Sequence, residues 1–216
     1  MRLSGFAIVL ALAGCTSTPQ RRWRTLFDGH SLAGWTPTEF GGEAEVRVCD
    51  GRIVLGCGSP MTGITYAGPD ALPTADYEIE LSATRLDGSD FFCCLTFPVA
   101  ESHASLVVGG WGGALVGLSS LDDEDASQNE TQTLMRFENG RPYRIRLRVE
   151  RRRIRAWIDD KPVVDVDTTG RRVGIRPEVG PSRPLGIACF TCTAALEGIR
   201  LTRDDLPHDD AMPGTF

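Results

Sequence analysis

Residues 143–164 read YRIRLRVERRRIRAWIDDKPVV, and their period decides the fold. Tyr143, Ile145, Leu147 and Val149 alternate strictly with Arg144, Arg146, Arg148 and Glu150. Side chains that return to one face every second residue belong to an extended strand; a helix would scatter them around its axis. The alternation breaks at Arg151-Arg152 and resumes at Ile154, Ala156 and Ile158. Asp159-Asp160 then has the chemistry of a tight turn before Val163-Val164. The stretch predicts a three-strand antiparallel meander with one apolar face and one arginine-rich face.

The same period recurs on both sides. Tyr77, Ile79, Leu81 and Ala83 face one way, and Glu78, Glu80 and Ser82 the other. Further apolar runs fall at 91–99, 105–108, 114–118, 185–190 and 196–201, punctuated by glycine, proline and aspartate. No window of a dozen residues carries a helical stripe. Twelve or so short strands in one compositional zone predict a single all-β domain, a two-sheet antiparallel jelly-roll sandwich.

The chain has 216 residues and a net charge of −6. That balance gives no electrostatic footprint for nucleic acid. Residues 1–14, MRLSGFAIVLALAG, pair a single cation with an apolar run too short to span a bilayer, the pattern of an export signal. Leu12-Ala13-Gly14-Cys15 resembles a bacterial lipobox, which makes Cys15 the expected lipidation site. The only membrane contact is then the lipid on Cys15, and the expected location is the bacterial cell envelope, at the outer membrane. Residues 15–24 read as a lipidated tether, 25–206 as the sandwich and 207–216 as a flexible tail.

Of seven cysteines, six lie beyond Cys15. An even number in an exported chain invites disulfides, but local geometry argues for free thiols, with one or two long-range bridges left open. An Asp50-Gly51 hairpin turn sets Cys49 opposite Arg52 and Cys57 opposite Ala44. Cys93 and Cys94, neighbours on one strand, point to opposite faces.

Several motifs together resemble the 3-keto-disaccharide hydrolase family. Leu26 to Trp35, LFDGHSLAGW, is similar to its opening motif. Val48-Cys49-Asp50-Gly51-Arg52-Ile53-Val54 resembles its early hairpin, and Asp76 to Leu81 the strand that follows. Ala156 to Val164 is similar to its late hairpin, and Leu196 to Leu201 to its closing strand. The resemblance implies a concanavalin-A-like lectin/glucanase sandwich and a carbohydrate ligand or substrate. The implied activity is cleavage of glycosides oxidised at C3, where the ketone acidifies the neighbouring C–H so that one base and one acid suffice. It also makes LFDGHSLAGW part of the fold, with His30 a surface turn residue. Where many members carry Asn-Ser-Gly, this chain has Gly88-Ser89-Asp90, and no acidic residue stands between Glu101 and Asp122.

Candidate chemistry gathers in a few places. Trp111, set in Gly109-Gly110-Trp111-Gly112-Gly113, offers an indole for stacking on a sugar, with Gly110 and Gly112 letting a ligand approach the backbone; a bulge that buries the indole is the structural alternative. Asp122, Asp123 and Asp125 are candidate ligands for a divalent cation such as calcium, or a solvated acidic loop. Glu130 and Asp90, each beside a strand, are the candidate catalytic acids, and His103 a candidate base partnered by Asp90. Asn129 and Arg136 are candidate substrate contacts. The arginines of the meander form either a basic stripe for an anionic glycan or a solvated face balanced by neighbouring acids. Three functions follow: a keto-glycoside-cleaving enzyme, a glycan-binding or cell-surface interaction module without catalysis, or an envelope scaffold with no sugar site.

Overall fold

The computed structural model describes residues 22–203. Among them fifteen strands follow one another: β1 (Trp23–Thr25), β2 (Trp35–Pro37), β3 (Val46–Cys49), β4 (Arg52–Leu55), β5 (Met61–Tyr66), β6 (Tyr77–Gly88), β7 (Cys93–Val99), β8 (Ser102–Gly109), β9 (Leu115–Ser119), β10 (Thr133–Leu134), β11 (Pro142–Glu150), β12 (Arg153–Ile158), β13 (Lys161–Asp167), β14 (Gly186–Phe190) and β15 (Cys192–Arg203). They form two antiparallel sheets. One has eight strands, ordered β13-β12-β11-β6-β15-β4-β3 with β1 beside β15; the other has seven, ordered β10-β9-β8-β7-β14-β5-β2. This is the two-sheet sandwich that the alternation predicts.

The meander is β11, β12 and β13. Ile145 pairs with Ile158, Leu147 with Ala156 and Val149 with Ile154. On its other side β11 meets β6, with Tyr143 opposite Ala83, Ile145 opposite Leu81 and Leu147 opposite Ile79. All these side chains are buried and join Leu95, Phe97, Leu106, Leu118 and Ile187 of the seven-stranded sheet in one core. Two hairpin turns of this sheet put two successive residues at positive φ, Asp50-Gly51 and Asp159-Asp160. That geometry matches the right-handed twist of the flanking strands. At the second turn Asp159 accepts hydrogen bonds from the Arg144 backbone N–H and the Arg141 guanidinium.

The outer face of the eight-stranded sheet carries the arginines, and they are matched to acids. Arg148 pairs with Glu78 and Glu150, Arg155 with Glu150, Arg153 with Asp165, and Arg200 with Glu80. Arg146 lies over the Trp157 ring at 4.1 Å. The face is therefore a charge-balanced lattice, which removes the basis for an anionic-glycan stripe.

The opening motif folds as a turn. Asp28 accepts the backbone N–H groups of His30 and Ser31, which hold its carboxyl down to about 2. Trp35 is buried and donates its indole N–H to the Leu26 carbonyl, while His30 stays exposed. Two details differ from expectation. Strand β1 starts at Trp23, inside the stretch read as tether. Strands β1, β2 and β10, of two or three residues each, are too short to show a period. The thiols follow the local-geometry reading: the six described cysteines are all free, four buried and Cys49 and Cys57 exposed, with no long-range bridge among them. The signal, Cys15 and the C-terminal tail lie outside the described residues.

Candidate functional site

The outer face of the seven-stranded sheet is built in rows fixed by strand register. Ser119, Ser105, Thr96, Gly186 and Thr65 form one row across β9, β8, β7, β14 and β5. Two residues along, the next row is Gly117, Val107, Cys94, Ala188 and Gly63. Phe190 and Met61 pair two residues further on, and the Phe190 N–H bonds to the Phe91 carbonyl. Small side chains in the middle row leave a trough. The 3-10 helix Pro177–Ser182 forms one wall, with Val179 packing on Met61, Cys94, Val107 and Ala188. The result is a mostly apolar cleft of about 310 Å³, bordered by Asp90, Trp111, Arg176, Glu178 and Ser119.

Two loops build its rim, and each needs its glycines. Gly88 has φ +95, and a Cβ there would lie 2.6 Å from the Cys192 side chain. Gly113 has φ +108, and its Cβ would meet the Ser89 carbonyl oxygen at 2.5 Å. The two loops thus lock together through backbone contact only glycine allows. Asp90 pins them: one carboxylate oxygen accepts the Phe91 N–H at 2.7 Å, the other the Gly112 N–H at 3.1 Å. Beneath them the buried Arg85 donates to Asn139 Oδ1 and to the carbonyls of Phe137 and Asp90. Trp111, at φ 49 in the short turn Gly110–Gly113, stays 46% exposed over the cleft. It does not fill the core.

Arg176 is the cation of the cleft. It bonds to Asp125 at 3.0 Å and to Glu178 at 2.9 Å, and Arg176 in turn holds the Glu178 carboxyl below its ordinary value. Nothing in period or spacing marks Arg176 or Glu178 in the sequence. Ser119 is buried, borders the cleft, and its Oγ has no hydrogen-bond partner.

The other sequence candidates stand elsewhere. Glu130 is paired with Arg171, which keeps its carboxyl below the usual range, and it does not border the cleft. His103 faces Pro98, five residues along β7 from Cys93 or about 17 Å at 3.3 Å per residue, whereas Asp90 lies before the other end of that strand. It borders a separate depression with Glu101 and Pro184, and burial, then Arg183, lowers its pKa. The expected Asp90–His103 pair is therefore not formed. Asn129 is buried; its amide donates to the carbonyls of Leu118, Glu124 and Asp125, and its oxygen accepts from Thr131. It organises a loop. Arg136 is exposed after β10, away from the cleft.

The aspartates read as calcium ligands diverge. Asp122 accepts the Arg172 backbone N–H and pairs with Arg171, Asp123 pairs with Arg172, and Asp125 bonds to Ser127 and Arg176. Among the described residues no group of three or more His, Cys, Asp or Glu side chains converges to hold a metal ion. The donor set does not fit calcium.

Solved structures with this sandwich include β-agarase B from Zobellia galactanivorans, with 9% identity, 85% of this chain and 94% of that chain covered and a TM-score of 0.56. The carbohydrate-binding module CBM66 from Bacillus subtilis gives 16%, 78% and 95%, and 0.51. Crh5 transglycosylase in complex with NAG gives 11%, 86% and 85%, and 0.56. At such identities these likenesses establish the fold. No curated protein matches by sequence. The profile of the 3-keto-alpha-glucoside-1,2-lyase-like domain matches residues 22–190, most of the chain, and the protein belongs to that family.

Proposed function

We propose that this protein binds a carbohydrate in the Trp111 cleft and cleaves 3-keto-glycosides there. The observation that carries the reading is the convergence, in one concave site, of an exposed indole, a fixed carboxylate and a fixed guanidinium. A sugar presents an apolar C–H face that stacks on an indole. Asp90 then acts as base toward the hydrogen beside the ketone; each of its oxygens keeps a lone pair beyond the backbone N–H it accepts. Arg176 meets the enolate oxygen that develops, with Asp125 and Glu178 holding the guanidinium in place. The bond to the leaving group breaks next, and the departing oxygen takes a proton from solvent. Family membership and the lectin-type sandwich support a glycan ligand. Attachment to the bacterial outer membrane through lipid on Cys15 rests on Leu12-Ala13-Gly14-Cys15.

The test is release of the leaving group from 3-keto-glycosides and their unoxidised parents by the full chain. We expect release from the keto forms alone, and a 10²- to 10⁴-fold fall in kcat, roughly the weight of a general base, for Asp90→Asn. Undiminished turnover in that variant would sink the assignment of the base.

A second reading has its own observation. Both Asp90 oxygens already accept backbone N–H groups and Glu178 is tied to Arg176, an arrangement suited to holding a ligand without chemistry. It predicts saturable binding of an unoxidised glycan and no release from any keto form.

A further inference from the structure

The cleft is graded along its length. At one end stand Trp111 and Asp90, beside the tilted pair Phe91 and Phe190, whose ring centroids are 5.4 Å apart. The middle is apolar: Val107 and Cys94 form the floor and Val179 the wall. Burial pushes the Cys94 thiol up to about 12, so this floor carries no charge. At the far end is the hydroxyl row, where Ser105 shares a hydrogen bond with Thr96 and Ser119 Oγ has none. From the Phe190–Met61 row to the Gly186–Thr65 row is four residues, about 13 Å at the strand rise.

A ligand made only of sugar rings would set hydroxyls against Val107, Cys94 and Val179, which give them no partner, while the charged side chains bordering the cleft are already engaged, Arg176 with Asp125 and Glu178; burying unanswered polar groups opposes binding. A buried hydroxyl without a partner is, in turn, a position that a ligand group completes. Building on the glycan reading of the cleft, we propose that its ligand is an aryl glycoside: the sugar lies at Trp111 and Asp90, a flat aromatic aglycone crosses Val107 and Cys94, and a hydroxyl on the far edge of that ring bonds to Ser119 Oγ. A monosaccharide joined to one hydroxylated ring matches the length, the apolar waist and the volume of about 310 Å³. Ser119 then selects among aglycones and takes no part in bond cleavage.

The experiment is titration of the full chain, wild type and Ser119→Ala, with 4-hydroxyphenyl glucoside, phenyl glucoside and a glucose disaccharide. Each is offered as the parent and as its 3-keto form. Free hydroquinone and a Trp111→Ala variant separate the two levels of the reading. Expected is binding of the hydroxyphenyl glucoside at least tenfold tighter than the disaccharide. Ser119→Ala should erase about fivefold of that affinity while leaving phenyl glucoside and the melting temperature unchanged. Equal binding of all three glycosides, each weakened by Trp111→Ala, overturns the aromatic aglycone and leaves the glycan reading standing. A Ser119→Ala variant that treats both aryl glucosides as wild type does overturns the hydroxyl seat. No binding of any glycoside, or hydroquinone binding as tightly as its glucoside, overturns the glycan reading and this inference with it.

Discussion

Trp111 holds a left-handed backbone conformation, uncommon for a bulky residue, and leaves nearly half its surface in solvent. Strain and exposure together, in a residue the core does not use, are the marks of a ligand contact. Replacing Trp111 by alanine should therefore weaken glycan binding about tenfold, near 1.4 kcal/mol, and shift the melting temperature by no more than a degree or two. Isothermal titration and calorimetric melting check both halves; a large fall in stability with unchanged binding would make the indole structural. Trp111 and Asp90 were visible in the sequence because an odd glycine run and a departure from the family pattern drew attention to them. Arg176 and Glu178 were not, since they meet the other cleft residues only through the packing of a distant loop. Asn129 and Glu130 show the converse: chemistry-bearing side chains near one another in sequence, engaged by loop backbone and by Arg171.

At the scale of elements, the paired loops Gly88–Asp90 and Gly109–Gly113 set the cleft rim, and their glycines are not equivalent. Gly112 has φ +85 with nothing near its absent Cβ, whereas Gly113 has φ +108 and the Ser89 oxygen 2.5 Å away. Gly112→Ala should cost about 1 kcal/mol, the left-handed penalty alone. Gly113→Ala adds a backbone clash and should cost about 3 kcal/mol or more, with loss of ligand binding. Denaturant melts of both variants decide it; equal effects would remove the locked-loop account. The long strands were legible because Tyr77 to Ala83 and Tyr143 to Val149 each bury one face against a shared core. The rim was not legible, because its conformation depends on contacts between residues twenty or more positions apart.

At the scale of the whole molecule, the sandwich holds together without a disulfide among the described residues. Four of the six described cysteines are buried, and burial drives the Cys93 thiol far above its ordinary pKa. A protonated, inaccessible thiol does not react. Alkylation of the native protein should therefore modify Cys49 and Cys57 within the described residues, and all six only after denaturation, as mass spectrometry of the digest would read. Rapid native labelling of Cys93 or Cys94 would contradict the packing described. The same packing divides labour between the sheets: one outer face is a closed lattice of arginines and acids, the other a trough.

The most direct measurement is a crystal structure of the Asp90→Asn chain with a 3-keto aryl glucoside. The account predicts the sugar against Trp111 and the aglycone along Val107 and Cys94 toward Ser119. A ligand seated in the depression beside His103, or on the arginine face of the eight-stranded sheet, with the cleft empty, would contradict it.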